Sequence, residues 1–177
     1  MKKFLLIISL LIVLVLATLY GMRRYTRSFS PSETIQFEKG DFKLMLSYCR
    51  PYKKGRKIFG GLVPYGEVWR TGANEATEIS FSGPVQFGGQ SLPAGRYTLF
   101  TIPGPEQWVI ILNKTVKQWG AFNYKPEYDI LRTNASPEAL PQPVEQFTIQ
   151  FLPTEQGVDL QLIWDQIRLS VPIRKQS

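Results

Sequence analysis

The chain has 177 residues, which is enough for one domain with a sizeable hydrophobic core. Its formal net charge is +7, but five of the 21 basic residues flank an N-terminal apolar segment. The remaining 16 stand against 14 acidic residues, a net charge of only +2, so the rest of the chain lacks the basic surface of a nucleic-acid-binding domain. We therefore expect no nucleic-acid partner.

Histidine is absent, and Cys49 is the only cysteine. Without histidine, neither Ser-His-Asp nor Cys-His catalysis can be built, and the commonest zinc and iron ligand sets are missing. A single cysteine allows no intramolecular disulfide, and we interpret Cys49 as a small buried residue on a strand. The composition thus gives no sign of a metal site or a cofactor.

Residues 4–20 form an apolar run, FLLIISLLIVLVLATLY, with two lysines before it and two arginines shortly after it. As a helix the run would span about 25 Å, and the next two residues extend it towards the thickness of a bilayer core. The small-x-small segment Val15-Leu16-Ala17 is a poor cleavage site, because large apolar residues continue after it. We predict an uncleaved signal-anchor that crosses the membrane through residues 4–22. A cleaved signal peptide and a secreted product are the alternative.

This segment and its basic flanks divide the chain into an anchor at residues 1–27, a polar linker at residues 28–33 and one domain at residues 34–177. The positive-inside rule does not decide the orientation, because two basic residues precede the span and three come after it. We expect the domain on the extracytoplasmic side, since a short N-terminal stub commonly stays inside while the chain beyond the span is exported.

From Thr34 onward the apolar residues alternate with period 2, as in half-buried strands. The alternation covers residues 42–48, 77–81, 97–101, 147–151, 160–162 and 167–171. Gly88-Gly89 indicates a two-residue hairpin, and three more turn signals are Pro93-Ala94-Gly95, Pro103-Gly104-Pro105 and Glu155-Gln156-Gly157. Eight to ten short strands predict an all-β fold, an antiparallel β-sandwich or a jelly-roll-like fold. One short helix is predicted over Ser136–Leu140, with Ser136 as its N-cap.

Polar residues are densest in the stretch YCRPYKKGRKIFGGLVPYGEVWRTGANEAT, where arginines stand among prolines, glycines and aromatic residues. The planar guanidinium group binds carboxylate or phosphate, and loops on a rigid scaffold often carry binding sites. We predict a site for a glycan, a cell-envelope fragment or a small anion, formed by Arg50, Arg56, Trp69, Arg70, Asn74 and Glu75, with Trp119 and Tyr124 at its rim. The alternative is an internal lock, in which Arg70 pairs with Glu75 or Asp129 and fixes a long connection.

A second group of candidates is aromatic and lies in QWVIILNKTVKQWGAFNYKPEYDILR. Aromatic faces bind sugar rings and cations. Trp108 stands in a hydrophobic strand and is predicted to be core, whereas Trp119 lies in a predicted loop and is the better ligand candidate. Trp164, at the end of a predicted strand, is assigned to packing.

Long specific blocks point to a family. They read RPYKKGRKIFGGLVPYGEVWRTGANEATEISFS, LPAGRYTLFTIPGPEQWVIILN, and the shorter WGAFNY and DILR. Over about Thr34 to Phe151 the chain resembles the domain-of-unknown-function family 2911. The resemblance implies an exported β-rich protein and places Arg50–Arg56 and Val63–Asn74 in the family's core pattern. It supplies no catalytic residue, and this chain differs from a typical exported member in its apparent uncleaved anchor.

Three functions are compatible with these features. The first is a membrane-tethered extracytoplasmic β-sandwich that acts as a binding or structural module without catalytic residues. The second is a hydrolase that uses paired carboxylates, Glu75 with a partner such as Asp129. The third is a purely structural partner in a cell-envelope complex, which an exposed apolar patch on one sheet would favour.

Overall fold

A computed structural model describes residues 2–176 of the chain. One helix, α1 (Lys2–Phe29), is followed by β-strands and by a single 3-10 turn at Pro126–Tyr128. The strands are β1 (Ser32–Lys39), β2 (Phe42–Cys49), β3 (Thr77–Phe81), β4 (Val85–Phe87), β5 (Gln90–Leu92), β6 (Gly95–Ile102), β7 (Trp108–Asn113), β8 (Asp129–Ala135), β9 (Glu138–Thr154) and β10 (Gly157–Lys175). The predicted all-β class is confirmed.

The strands form two antiparallel sheets that face each other as a sandwich. One has six strands in the order β1-β2-β3-β6-β7-β8, and the other has four in the order β5-β4-β10-β9. The β4–β5 hairpin, which turns at Gly88-Gly89 as predicted, leaves the first sheet after β3 and joins the second. This excursion explains why β3 pairs with β6 and not with its successor in the chain.

The core lies between the sheets, and the period-2 pattern decides which side chains enter it. On β2, Phe42, Leu44 and Leu46 are buried, while Met45 between them is 41% exposed. At one end of the sandwich the core is aromatic, where rings from both sheets and from the loop after β2 meet: Phe59, Trp69, Trp108, Phe147 and Trp164. Trp108 and Trp164 are therefore packing residues, as predicted.

A smaller apolar cluster lies on the outer face of the six-stranded sheet. Phe100 and Ile111 point away from the main core, yet both are fully buried. Ala121 and Tyr124 of the β7–β8 connection pack against this cluster, and the Tyr124 ring meets the Phe100 ring edge-on at 5.0 Å. The connection is thus held against the sheet by buried contacts.

The predicted helix at Ser136–Leu140 is wrong. Residues Glu138 to Leu140 begin the long strand β9, and Ala139 pairs with Ile167 of β10. Pro141 and Pro143 come soon after, and proline is compatible with an edge strand such as β9 but breaks a helix. The two strands predicted at residues 160–162 and 167–171 are parts of β10, which has an irregularity at Asp165.

Helix α1 stands at the N-terminal end, and none of its membrane-span window is buried inside the protein. Its length and apolar composition suffice to cross a membrane, a property that a signal sequence shares. The helix continues to Phe29 and β1 starts at Ser32, so only Ser30 and Pro31 separate them where a linker at residues 28–33 is predicted. The connection between helix and domain is therefore short.

We predict that Phe87→Ala lowers the free energy of unfolding by about 3–5 kcal/mol, because the fully buried ring leaves a cavity between the sheets. Leu152→Ala is the control, since that side chain is 45% exposed on the edge strand β9, and its effect should stay below about 1 kcal/mol. Denaturant unfolding of the full chain in detergent measures both. Equal losses in the two variants would contradict the assignment of the core.

Candidate functional site

A cleft of about 460 Å³ opens at the end of the sandwich where the chain enters the domain. The indole rings of Trp69 and Trp164, stacked with centroids 6.0 Å apart, form part of its wall. The end of the helix contributes Phe29 and Ser30. Three lining residues are basic and none is acidic: the basic ones are Lys54, Arg56 and Arg70.

The loop that carries Trp69 and Arg70 is fixed by its backbone. Trp69 exchanges two backbone hydrogen bonds with Thr101 of β6, at 2.7 and 2.9 Å, and its indole N–H donates to the carbonyl of Gly72 at 3.0 Å. Gly72 has a φ of +152°, and a Cβ there would lie 2.9 Å from the Cys49 carbonyl oxygen. Only glycine fits this position, so the sequence WRTG holds the arginine at the cleft.

Arg70 is half-buried in the cleft wall, and its Nε is buried without a hydrogen-bond partner. Burial lowers the pKa of Arg70 from its usual value, although an arginine remains charged at any physiological pH. Among residues 2–176, no carboxylate lies within 4.0 Å of its guanidinium group. A buried charge of this kind is unfavourable unless something else compensates it.

Arg56 and Lys54 lie at the exposed rim of the same cleft. Arg56 donates to the backbone carbonyls of Tyr52 and Lys53, which orient the guanidinium group but leave its charge unpaired. The Lys54 ammonium group lies 4.8 Å from the centre of the Phe29 ring. The nearby Lys53 differs, because it forms an ion pair with Asp165.

Arg50, predicted as a site residue, lies outside this cleft and ties the sheets together. Its Nε donates to the carbonyl of Phe147 at 3.2 Å, and Nη2 donates to the Thr148 hydroxyl at 2.9 Å. Nη1 also lies 3.2 Å from a carboxylate oxygen of Glu33 on β1. All of these partners belong to the fold itself, so the contacts of Arg50 are structural.

Asn74 and Glu75 are on the other side of the loop. The Asn74 amide lies 3.5 Å from the carbonyl of Ser30, a weak contact, and Glu75 faces a second cleft of about 390 Å³ beside α1. Its carboxylate accepts a 2.6 Å hydrogen bond from Arg27 and lies 3.2 Å from Arg23. Partial burial opposes ionisation of Glu75, but hydrogen bonds from its own backbone and from Arg27 prevail, and its pKa is lowered.

Tyr124 belongs to a closed cluster around Asp129. Its hydroxyl donates to one Asp129 oxygen at 2.7 Å, Arg132 donates to the same oxygen at 2.8 Å, and the Asn113 amide donates to the other. Burial and the hydrogen bond to Asp129 raise the pKa of Tyr124 to about 12. The predicted lock between Arg70 and Glu75 or Asp129 is therefore wrong, because each carboxylate has arginine partners of its own.

The ion pairs of Glu75 and Asp129 also bear on whether these two carboxylates could act as a catalytic pair. Each carboxylate of the suggested hydrolase pair is neutralised by a neighbouring arginine, Glu75 by Arg27 and Asp129 by Arg132. A general acid needs a raised pKa, and that of Glu75 is lowered instead. Within residues 2–176, no three acidic or cysteine side chains lie where they could hold a metal ion together.

Trp119 lies in a loop, as predicted, but away from the basic cleft. Its indole is 40% exposed and stands beside the end of the apolar run of α1, with Leu19 and Met22 as neighbours. The guanidinium carbon of Arg23 lies 5.5 Å from its ring centre. A backbone bridge to Glu75 fixes the loop there.

The structure thus brings together three of the eight predicted site residues: Arg56, Trp69 and Arg70. It adds Lys54 and the end of α1, which sequence reasoning missed. The run YKKGRK carries a signal for Lys54, because its glycine favours a tight turn. In the structure Lys54 and Gly55 both have positive φ and form this turn, which brings the lysine close to the Phe29 ring. Nothing in the sequence indicates that the end of α1 lies close to this cleft.

Fold and cleft define a small antiparallel β-sandwich that is preceded by an apolar N-terminal helix and carries a cationic, aromatic-walled cleft. The chain belongs to the family described as Protein of unknown function (DUF2911), which matches residues 30–173. The match covers most of the chain and confirms the resemblance carried by the sequence blocks. Comparisons with curated proteins and with solved structures found no match.

We predict that Glu75→Gln lowers the free energy of unfolding by roughly 1 kcal/mol at neutral pH, because the ion pairs with Arg23 and Arg27 are lost. A carboxyl with a lowered folded-state pKa stabilises above its unfolded pKa, and this stabilisation disappears as the pH falls through the folded value. The difference from wild type should therefore shrink below about pH 4.5, the usual pKa of glutamate.

Denaturant unfolding of the full chain between neutral and acidic pH measures this difference. Glu106→Gln is the control, since Glu106 is exposed in the β6–β7 turn, and it should show no such pH-dependent gap. A gap for Glu75→Gln that persists undiminished in acid would contradict an ionic role.

Proposed function

We propose that this protein is a membrane-tethered, extracytoplasmic β-sandwich that binds a small anionic ligand in the cleft of Lys54, Arg56 and Arg70. Helix α1 is the tether, and the domain carries the site. The single observation that carries the binding proposal is the half-buried Arg70, which lines the cleft and has no carboxylate partner among the described residues, while its Nε is buried without a hydrogen-bond partner.

The chemistry of the cleft favours a carboxylate or phosphate ligand. A guanidinium group presents two parallel N–H donors that match either group, and the charges of Lys54 and Arg56 at the rim attract an anion. With no acidic side chain among the lining residues, nothing in the wall opposes an incoming negative charge.

The size and the wall restrict the ligand further. A volume of about 460 Å³ lies in the range of small-molecule pockets, which run from about 300 to 1,000 Å³. Phe29 and Leu62, 44% and 46% exposed, offer aromatic and apolar surface next to the cations, whereas Trp69 and Trp164 are buried and contribute only a narrow edge. An acidic sugar or an acidic envelope fragment combines a ring with an anion and would fit both parts.

The energetics of Arg70 agree with a binding role. A half-buried cation without a carboxylate partner contributes less to the stability of the empty domain than a paired one, and groups held against stability are frequently those that function requires. A bound anion would supply a partner for this charge. The ligand would therefore stabilise the domain by pairing with Arg70.

We predict that Arg70→Met leaves the free energy of unfolding unchanged or raises it, while it abolishes stabilisation by anions. The test is thermal unfolding of the full chain at fixed ionic strength with phosphate, pyrophosphate, citrate and glucuronate. A wild-type ligand at 100 times its Kd would stabilise by about 2.7 kcal/mol. For a chain of this size each kcal/mol raises Tm by about 2–4 °C.

Arg168→Met is the matched control, because Arg168 is an arginine on the sheet surface that pairs with Glu138. It should keep the full anion response. The binding proposal fails if no probe shifts the wild-type Tm, or if Arg70→Met responds as the wild type does.

We also predict that alkaline phosphatase fused after residue 177 is active in cells, because that enzyme folds only outside the cytoplasm. The reciprocal fusion to a fluorescent protein that matures only inside should be dark. Mass spectrometry of the membrane-bound product should still find residues 4–22. An active cytoplasmic reporter would overturn the orientation, and loss of the segment would overturn the tether.

A further inference from the structure

We propose that the Trp119 loop, residues 114–125, docks on the bilayer surface beside α1, with Trp119 and Phe122 inserted at the level of the lipid headgroups. The partner is the membrane itself, a phospholipid bilayer with anionic headgroups. This inference rests on the proposed membrane tether and is independent of the anion-binding cleft.

The position of Trp119 beside α1 determines how deep the loop would lie relative to the bilayer. Its indole lines one surface pocket together with Leu19 and Met22, and Met22 is the last apolar residue before Arg23 and Arg24. Leu19 precedes Phe29, the end of the helix, by ten residues, or about 15 Å along the axis. The loop therefore reaches back from the domain to the end of the span, where tryptophan is enriched in membrane proteins.

Phe122 supplies the second observation. Its side chain is 84% exposed, more than any other large hydrophobic side chain in residues 2–176, the bare helix included. Exposure of a whole phenyl ring to water is unfavourable by about 1.5–3 kcal/mol relative to burial. Phe122 lies three residues after Trp119, so one short loop segment carries two exposed aromatic side chains.

This exposure does not come from a loose loop. The N–H of Gly120 donates to the Asn74 carbonyl at 2.9 Å, the N–H of Ala76 donates to the Gln118 carbonyl at 3.0 Å, and the Asn113 amide donates to the Lys125 carbonyl at 3.0 Å. Ala121 and Tyr124, on either side of Phe122, pack on the apolar cluster of the sheet. The loop is anchored by the residues around Phe122 and directs this ring outward.

The charges around Trp119 and Phe122 favour a lipid surface with anionic headgroups as the partner of the loop. The loop contains Lys114, Lys117 and Lys125 and no acidic residue. Of the arginines after the apolar run of α1, Arg23 and Arg27 share the carboxylate of Glu75, and Arg24 has no carboxylate within 4.0 Å among residues 2–176. Each basic residue close to an anionic membrane adds about 1 kcal/mol of attraction. Aromatic rings within a basic surface at the end of a membrane span match the headgroup region.

The experiment places a fluorophore at Phe122 in the full chain. Phe122→Cys on a Cys49→Ala background is labelled with an environment-sensitive dye and reconstituted into vesicles of phosphatidylcholine and phosphatidylglycerol. Some vesicles carry a nitroxide group near the start of the acyl chain, and iodide is the aqueous quencher. An unfolding midpoint equal to that of the unlabelled Cys49→Ala protein shows that the label leaves the fold intact.

Gln156→Cys is the matched control. Gln156 is exposed in the β9–β10 turn, and β9 runs eight residues, about 26 Å, from Gln146 beside the cleft to Thr154 at that turn. We expect blue-shifted emission from the label at 122 and nitroxide quenching at least about threefold stronger than at 156, with weaker quenching by iodide.

Flotation of the same vesicles after alkaline carbonate separates the two proposals. If the chain stays with the vesicles while the label at 122 is quenched like the label at 156, docking of the loop is wrong and the tether stands. If the chain leaves the vesicles, the tether is wrong and the docking proposal falls with it. Membrane retention together with selective lipid quenching at 122 supports both.

Discussion

The packing of Trp69 between the two sheets is the contact on which the rest of the structure depends. Its backbone pairs with Thr101 of β6, its ring stacks on Trp164 of the opposite sheet, and its indole N–H closes the turn at Gly72. One residue therefore fixes the long connection between β2 and β3 to both layers. Because Arg70 is its neighbour, the same contacts that build the core also place a cation in the wall of the cleft.

Two sets of basic residues in the domain have different physical roles. Arg50, Lys53 and Arg132 have carboxylate partners and join parts of the fold. Arg56 and Arg70 have none within residues 2–176, and both line the cleft. Residues of the two sets are interleaved along the chain, so position in the sequence does not decide which of them has a carboxylate partner. The placement of the acidic residues in three dimensions decides it. Both arginines of residues 30–176 that have no carboxylate within 4.0 Å thus line the cleft.

The sequence predicted the fold better than the site, and the reason is physical. Alternation of apolar residues identifies a strand locally, which is why β2, β3 and β6 and the Gly88-Gly89 hairpin were predictable. The Ser136–Leu140 segment misled because its capping pattern is local, whereas pairing with β10 is not. Which groups lie next to Arg70 and Glu75 depends on the conformation of the loops and on the position of the end of α1. The composition carries no information about either. Family membership names no site residue.

The short connection between α1 and β1 would have a consequence for how the cleft meets the proposed ligand. Phe29 lies seven residues after Met22, about 10 Å along the axis, and Phe29 itself lines the cleft. With α1 in a bilayer, the opening stands at a fixed small height above the lipid surface, and the ion pair between Arg27 and Glu75 limits tilting. A ligand attached to that surface would reach the cleft by lateral diffusion in two dimensions, so its encounter rate would depend on its surface density and not on its bulk concentration.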